Sequence, residues 1–417
     1  MKLRWLLSSA DREAVEMCKH VRKLFNAQRD FLSTQATDAV NSALAETQKA
    51  IDDGVDKKTL RKRVGNLETA ANKWIKPYPN AKWRENVEVF LVAIAVAMAI
   101  RTFFLQPFKI PTGSLQPTLY GIEFEPLQAT SNKPEEKIPN AFGKIWDAAV
   151  GGTFYHFRQA EADGEVVKVD QPRRFLFFLK KQTVWVKYNG RDQAPHTIWF
   201  APEQDPKKDN KFLRLAELYP GRTFQKGDYI FQVKEIAGDH LFVNRITYNF
   251  RPPTRGEIII FKTKGINHPY VPQDEFYIKR LVALSGDKVS IGDDQHLRIN
   301  GVRLDAATPH FGNVYIFSPD WQENHYFGHV NGTVEQKLIL AGVLQQGGLA
   351  PYFPDQETVF EVPATGFMAL GDNTLNSLDS RGWGAFPRDN VIAKSFFVYW
   401  PIANHGESRF GWAHTAK

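Results

Sequence analysis

Val89 to Ile100 reads VFLVAIAVAMAI, an unbroken apolar run, and no other stretch limits the possible folds as strongly. By itself it is short enough for a buried core helix. Extended over Val87 and Thr102–Leu105 it reaches about 19 residues, interrupted only by Glu88 and Arg101, which is enough for one membrane crossing. Both charges sit near the ends, where long side chains reach the interface. Lys73, Lys76, Lys82 and Arg84 crowd the N-terminal flank. By the positive-inside rule the N-terminus then faces the cytoplasm and everything after Gln106 lies outside it. The pattern predicts one transmembrane helix over 86–106, and no later segment qualifies.

Before the span the chain reads as helix. Val15, Cys18, Val21, Leu24 and Phe25 recur at helical steps. Ala39 to Ala50 and the run KKTLRKRVGNLETAANKWI repeat the pattern, separated by DDGVD at 52–56. Residues 1–85 are therefore expected to form an amphipathic helical hairpin or small bundle on the cytoplasmic side. After the span the texture turns to β. DYIFQV, HLFVNRITY, EIIIFK, FYIKRLVAL and FFVYW are short, β-branched and aromatic, with turns such as KGD, AGD, SGD and NG between many of them. The expected β core comprises 107–124, 236–310 and 358–405. Residues 125–235 form an insertion of mixed β/α, 311–357 a second insertion, and 406–417 a tail.

Cys18 is the only cysteine, so no intrachain disulfide forms and the redox compartment is not legible. The apolar run in MKLRWLLSSADRE is too short for the core of a cleavable leader. A net charge of +7 is modest for 417 residues and does not call for nucleic acid.

Three stretches carry chemistry. FKIPTGSLQPTL presents Ser114 between a glycine and a proline turn, but a serine hydroxyl needs a base and no histidine lies close in sequence. In EFYIKRLVAL, strand alternation puts Tyr277, Lys279 and Leu281 on one face. A lysine on such a face is partly buried, and burial favours the neutral amine, which can act as a general base. The plainer readings are an ordinary Gly-Ser turn and a lysine whose head snorkels to water. The third stretch, from Phe367 to Trp400, is dense in Gly, Asp, Asn and Ser between two apolar runs and marks a long structured loop, in which Asp379 and Arg381 can pair and Ser377 can orient a neighbour. Ser285 and Lys288 match S-x-x-K only formally, within a turn. His325 and His329, with Glu323 nearby, lack the helical setting of a metal site. No metal and no cofactor is expected.

Together these segments resemble bacterial type I signal peptidase, the leader peptidase family of Ser–Lys dyad proteases. IRTFFLQPFKIPTGSLQPTL is similar to the family's span exit and nucleophile box, P-S-G-S-M-x-P-T-L. GDHLFVNRITYNFRPPTRGEIIIFK resembles the next two strands, FYIKRLVALSGDKV the lysine box, and GDNTLNSLDSRGWG the G-D-N-x-x-x-S-x-D-S-R-x-[WY]-G box. The resemblance covers about 150 residues, leaving the N-terminal module and both insertions outside it. It implies a mainly β fold: an antiparallel β catalytic domain with large insertions, preceded by one transmembrane helix and an N-terminal helical module. Ser114 falls on the nucleophile and Lys279 on the general base. Thr112 falls on the hydroxyl that joins the Ser114 N–H in the oxyanion hole. Ser377 falls on the serine that hydrogen-bonds the lysine, Asp379 and Arg381 on a supporting pair, and Tyr277 on a site-lining aromatic.

Leu115, Thr112, Ala283, Ser285, Thr374 and Leu375 depart from the family pattern; the last two replace Arg and Asp, so the polar contacts of those residues are expected to be lost. The implied partners are secretory preproteins and membrane lipid, with no nucleic acid. The implied location is the bacterial inner membrane, single-pass, with the catalytic domain outside. Phe103, Phe104, Phe108 and Ile110 are expected to seat that domain on the outer leaflet or line its cleft. Ala93, Ala95, Ala97 and Ala99 form small-x-small patterns only inside the span, so the enzyme spares itself. A catalytically idle relative that binds envelope proteins is the alternative from another class.

Overall fold

The computed structural model describes residues 9–76, 81–127, 137–175, 179–190, 193–201, 211–318 and 326–412. It divides into two compact units, Met1–Val96 and Ala97–Lys417.

In the first unit, helices α1 (Ser9–Gln28), α2 (Thr34–Asp53) and α3 (Lys57–Trp74) bury one stripe each. Cys18, Val21 and Phe25 of α1 meet Val40 and Leu44 of α2 and Leu67 of α3. Ser33 caps α2 by accepting from the Ala36 N–H, Gly54 closes it at φ 65°, and Asp56 caps α3 by accepting from the Lys58 and Thr59 N–H groups. The expected hairpin or small bundle is thus a three-helix module. Helix α4 (Ala81–Ala99) runs on through a wider turn, Ile100–Phe104. Trp83–Phe104 is one helix of 22 residues with mean hydropathy 2.1, long and apolar enough to cross a membrane, and its apolar window is not buried.

The second unit is built on antiparallel sheets. The largest has the order Leu105–Lys109, His240–Asn244, Val391–Trp400, Ile258–Lys262, Phe276–Ala283, Gly366–Leu370, Phe386–Pro387. Its strands are short and alternate between two buried faces. Ile258, Ile260 and Leu241 pack with Leu115 and Leu119 on one side, while Ile259, Phe261 and Leu281 pack with Trp383 and Phe386 on the other. Ile110 is 2% exposed and belongs to the first of these clusters, so it faces neither membrane nor cleft. Phe108 is half-buried, edge-on to Phe276 at 6.0 Å, whereas Phe103 and Phe104 are exposed.

Three boundaries differ from those drawn on the sequence. Strand Tyr229–Ile236, most of it in the expected first insertion, pairs with both Glu123–Pro126 and Thr153–Gln159, so core and insertion share a sheet. Phe311, Val314, Tyr315, Ala350 and Phe353 of the second insertion share a core with Val282, Met368 and Leu370. The expected tail is partly built in: Arg409 is 1% exposed, donates to Asp239 and to the Thr118 carbonyl (3.0 Å), and Gly411 bridges to Val398. Motif boxes mark where sequence similarity stops, whereas packing follows apolar burial, and the two need not end together. The rest of the insertion forms strands Gly164–Val169, Arg173–Phe175, Leu179–Tyr188 and Gln193–Trp199. The helices of this mixed β/α insertion are short, Ala141–Trp146 and Lys211–Leu215. Its Pro-rich opening lies partly outside the described residues, as do the leading residues 1–8 and the last five.

Candidate active site

Lys279 stands in strand Phe276–Ala283, opposite Ile259. Alternation works there as expected, with Tyr277 and Leu281 packed in one apolar cluster, Ile278 in a second and Val282 in a third. Lys279 is 5% exposed, and its Nζ lies 2.6 Å from Ser114 Oγ, 165 residues away in sequence. The Tyr277 ring centroid is 5.7 Å from the same Nζ. Burial pushes the ammonium down from the ordinary 10.5 to about 8; Asp379 and Asp372 oppose the shift, and Arg381 adds to it. Removing a charge from water is the dominant cost, so the amine is substantially neutral in weakly alkaline solution.

Ser114 sits in a single tight turn, Gly113–Leu115, whose Leu115 and nearby Leu119 are fully buried anchors. The two limbs of the loop are tied at Asp239: its carbonyl accepts from the Ile110 N–H (2.9 Å) and its carboxylate from the Tyr120 N–H (2.8 Å). Gly121 is needed where these limbs touch, because a Cβ there would lie 2.1 Å from the Thr112 carbonyl carbon. Thr112, exposed and extended at φ −126°, precedes the turn without capping it. The Ser114 N–H donates to no protein acceptor among the described residues. An unused backbone N–H is one donor that an oxyanion requires.

The Asp-rich loop holds this turn from behind. The Asn373 N–H donates to the Ser114 carbonyl (3.1 Å) and its Nδ2 to the Gly113 carbonyl (3.0 Å). Its neighbour Asp372 accepts from Arg280 Nε (2.8 Å), Arg280 Nη2 (2.5 Å) and Thr118 Oγ1 (2.5 Å), all buried. Arg280 also donates to the Gly256 and His310 carbonyls. Asp379 and Arg381 form a fully buried bidentate pair, both bonds 2.9 Å. Burial pushes the Asp379 carboxyl up, but the Arg381 charge and hydrogen bonds outweigh it and hold the group below the usual range. Asp379 also accepts from the Gly371 N–H (3.0 Å).

Ser377 departs from its expected place. Its Oγ is buried and has no hydrogen-bond partner among the described residues, so no bond joins it to Lys279; it lies near enough to Asp379 to help hold that carboxyl down without a well-formed bond. Thr374 stands where the family pattern has an arginine. Its hydroxyl makes contacts of its own, accepting from Arg381 Nη1 (2.7 Å) and from the Val330 N–H (3.0 Å). Reading by boxes missed Arg280, Asp372 and Asn373 as supports, although all three letters stand inside quoted motifs. It also missed His329, which is fully buried with Nε2 3.2 Å from the Gly371 carbonyl and whose pKa burial lowers to about 4. His325 and Glu323 lie outside the described residues, and the described ones contain no group of three or more His, Cys, Asp or Glu able to hold a metal. Ser285 donates to the Gly366 carbonyl, and Lys288 is exposed on a strand, so that S-x-x-K forms no site.

A family model described as signal peptidase, peptidase S26, matches residues 83–187 and 233–400, about two thirds of the chain. Signal peptidase I of Leptolyngbya laminosa is 31% identical over 172 residues, covering 41% of this chain and 64% of the relative. A probable signal peptidase I of Synechocystis is 29% identical over 168 residues, covering 40% of this chain and 58% of the relative. The chain thus spans somewhat less than two thirds of these relatives. A solved signal peptidase I from Enterococcus faecalis is 22% identical and covers 34% of this chain and 97% of its own, with a TM-score of 0.20, too low to bear on the fold.

Proposed function

This chain belongs to the signal peptidase, peptidase S26, family, and on that premise we propose that it is a membrane-anchored endopeptidase that removes signal peptides from exported preproteins with a Ser114–Lys279 dyad. The observation that carries the reading is the 2.6 Å contact between a buried lysine amine and a serine hydroxyl. Neutral Lys279 takes the proton from Ser114 Oγ, and the alkoxide attacks the scissile carbonyl. The Ser114 N–H and the Thr112 hydroxyl hold the oxyanion. The Lys279 ammonium then returns its proton to the leaving amine as the C–N bond breaks, leaving an acyl-enzyme. Water then gives a proton to the neutral Lys279 amine and attacks the ester, and Lys279 returns that proton to Ser114 Oγ as the acyl–oxygen bond breaks. A dyad of this kind does the work of a histidine-based triad. Tyr277 lines the site, and the buried Asp379–Arg381 pair supports the loop behind it.

The reading extends to place. Trp83–Phe104 is the anchor, and the lysines and arginine on its N-terminal flank set α1–α3 in the cytoplasm and the catalytic unit outside the bacterial inner membrane. A peptidase so placed meets an apolar signal sequence at the end of its membrane passage, next to the small-x-small site.

The test uses the full chain in detergent. A preprotein with alanine at the third and first positions before the scissile bond is expected to be cut at one bond. The same preprotein with phenylalanine at the first position is expected to stay whole. Cutting that ignores the phenylalanine, or no cutting of either, contradicts the proposed activity.

A further inference from the structure

Strand Thr153–Gln159 pairs only with Tyr229–Ile236, and strand Gln193–Trp199 only with Leu179–Tyr188, among the described residues. Among the described residues both are therefore edge strands, and the second presents unpaired N–H and C=O groups along its outer side. Both border a single cavity of about 570 Å³, the size of a ligand pocket. The lining residues are consecutive, 153–158 from one strand and 195–200 from the other strand and its end. A strand that turns its face to a cavity contributes every second residue, so consecutive lining residues mean that both strands turn their edges to it. Phe154 and Phe200 bring the two walls together, their ring centroids 6.2 Å apart.

Pro195 fixes which groups of the second edge are open. It has no N–H and stands opposite Trp185, so it occupies a position whose amide would face away from the paired strand. The N–H groups of Thr197 and Trp199, two and four residues on, face the same way. The groove also begins beside the chain that leaves the Ser114 turn. Thr153 stands opposite Ile236, and Ile236 opposite Glu123, while Gly121 packs on the Thr112 backbone. Two strand spacings, about 10 Å, separate the near end of the groove from the chain leaving the Ser114 turn.

We propose that this groove takes the mature part of the preprotein, in extended form, as a strand added to the outer edge of Gln193–Trp199. The proposal rests on the reading of the Ser114 site as a signal peptidase. A polypeptide in extended form has the unpaired backbone groups that an open edge completes, and pockets beside the edge select its alternate side chains. Phe154, Phe157 and Trp199 offer apolar surface to those side chains. Among the described residues Lys144 and Arg158 stand in the wall and no carboxylate does, so acidic side chains fit it better than basic ones; Arg158 also meets Glu161 at 2.6 Å on the rim.

The test compares the full-length protein with Thr197→Pro, which removes one outward N–H, and Trp199→Ala, which removes a wall without touching the backbone. Both variants are expected to raise KM about tenfold for a preprotein with a long mature segment, with kcat unchanged. A short peptide spanning only the cleavage site is expected to be cut as by the wild type. Unchanged KM for the preprotein, or equal losses on both substrates, overturns the proposal. Binding is read separately, without cleavage, from the fluorescence anisotropy of a labelled peptide copied from the mature segment. Saturable binding that Thr197→Pro abolishes, and that lysines in place of the peptide's acidic residues weaken, supports the groove even where no preprotein is cut. Absence of binding overturns it, as does a wild-type dimer that Thr197→Pro converts to monomer, since the edges would then belong to a second copy.

Discussion

Lys279→Met is expected to cut preprotein cleavage by about 10³-fold or more while making the catalytic unit more stable. The rate loss follows from the chemistry: a positioned general base is worth about 10²–10⁴-fold, and without it the Ser114 hydroxyl is a poor nucleophile. Stability moves the other way because the fold holds the lysine pKa near 8 against an ordinary 10.5. Between those values the unfolded chain binds more protons than the folded one, so wild-type stability rises with pH across that window and is lowest below it. The difference corresponds to about 3 kcal/mol, less the hydrogen bond lost to Ser114. Methionine fills a similar volume without a charge. Urea unfolding at pH 7 is expected to give the variant a higher midpoint, together with near-zero turnover. Ser114→Ala is expected to be equally inactive, and the double variant no worse than either single one, because the two groups act as a unit. Independent, multiplying losses would contradict a shared role.

Asp372→Ala is expected to be the most destabilising small change in the loop. It leaves the Arg280 guanidinium, 1% exposed, without its carboxylate partner. Breaking a buried pair from one side costs about 3–5 kcal/mol, because a charge is left uncompensated. Arg280→Met is expected to do comparable harm, and Asp372→Leu combined with Arg280→Met to recover most of the loss, since a well-packed apolar pair carries no desolvation cost. A double-variant cycle by urea unfolding measures this coupling. Turnover should fall even in the recovered protein, because residue 372 directly precedes Asn373, which holds the Ser114 carbonyl. Recovery of stability with full activity would mean that the pair serves folding alone.

The contrast between Lys279 and Asp372 marks what the sequence made legible. Lys279 stands in a run whose alternation alone puts it among apolar neighbours, and Ser114 stands in a turn whose Gly and Pro are local signals. The span was legible for the same reason, since twelve consecutive apolar residues need no tertiary context. Arg280 gave no such sign. Its partners are Asp372, 92 residues away, and Thr118, 162 residues away, and a pairing across such distances leaves no periodicity in either segment. Arg409 was hidden similarly: a charged residue near the end of the chain reads as solvated until Asp239 is brought beneath it. Ser377 shows the opposite case. A box places the residue in the right loop, but the direction of its hydroxyl depends on Gly371, Ser114 and Asp379, which meet only in the fold.

The central claim is that Lys279 works as a neutral amine, and the pH dependence of kcat/KM tests it most directly, because that quantity reports the free enzyme's essential groups. With an uncharged substrate segment at the scissile bond, kcat/KM is expected to rise about tenfold per pH unit on the acid side and to level off near pH 8, where the buried lysine loses its proton. A profile that is flat through that region, or one that levels off only near the ordinary lysine value of 10.5, would contradict the account.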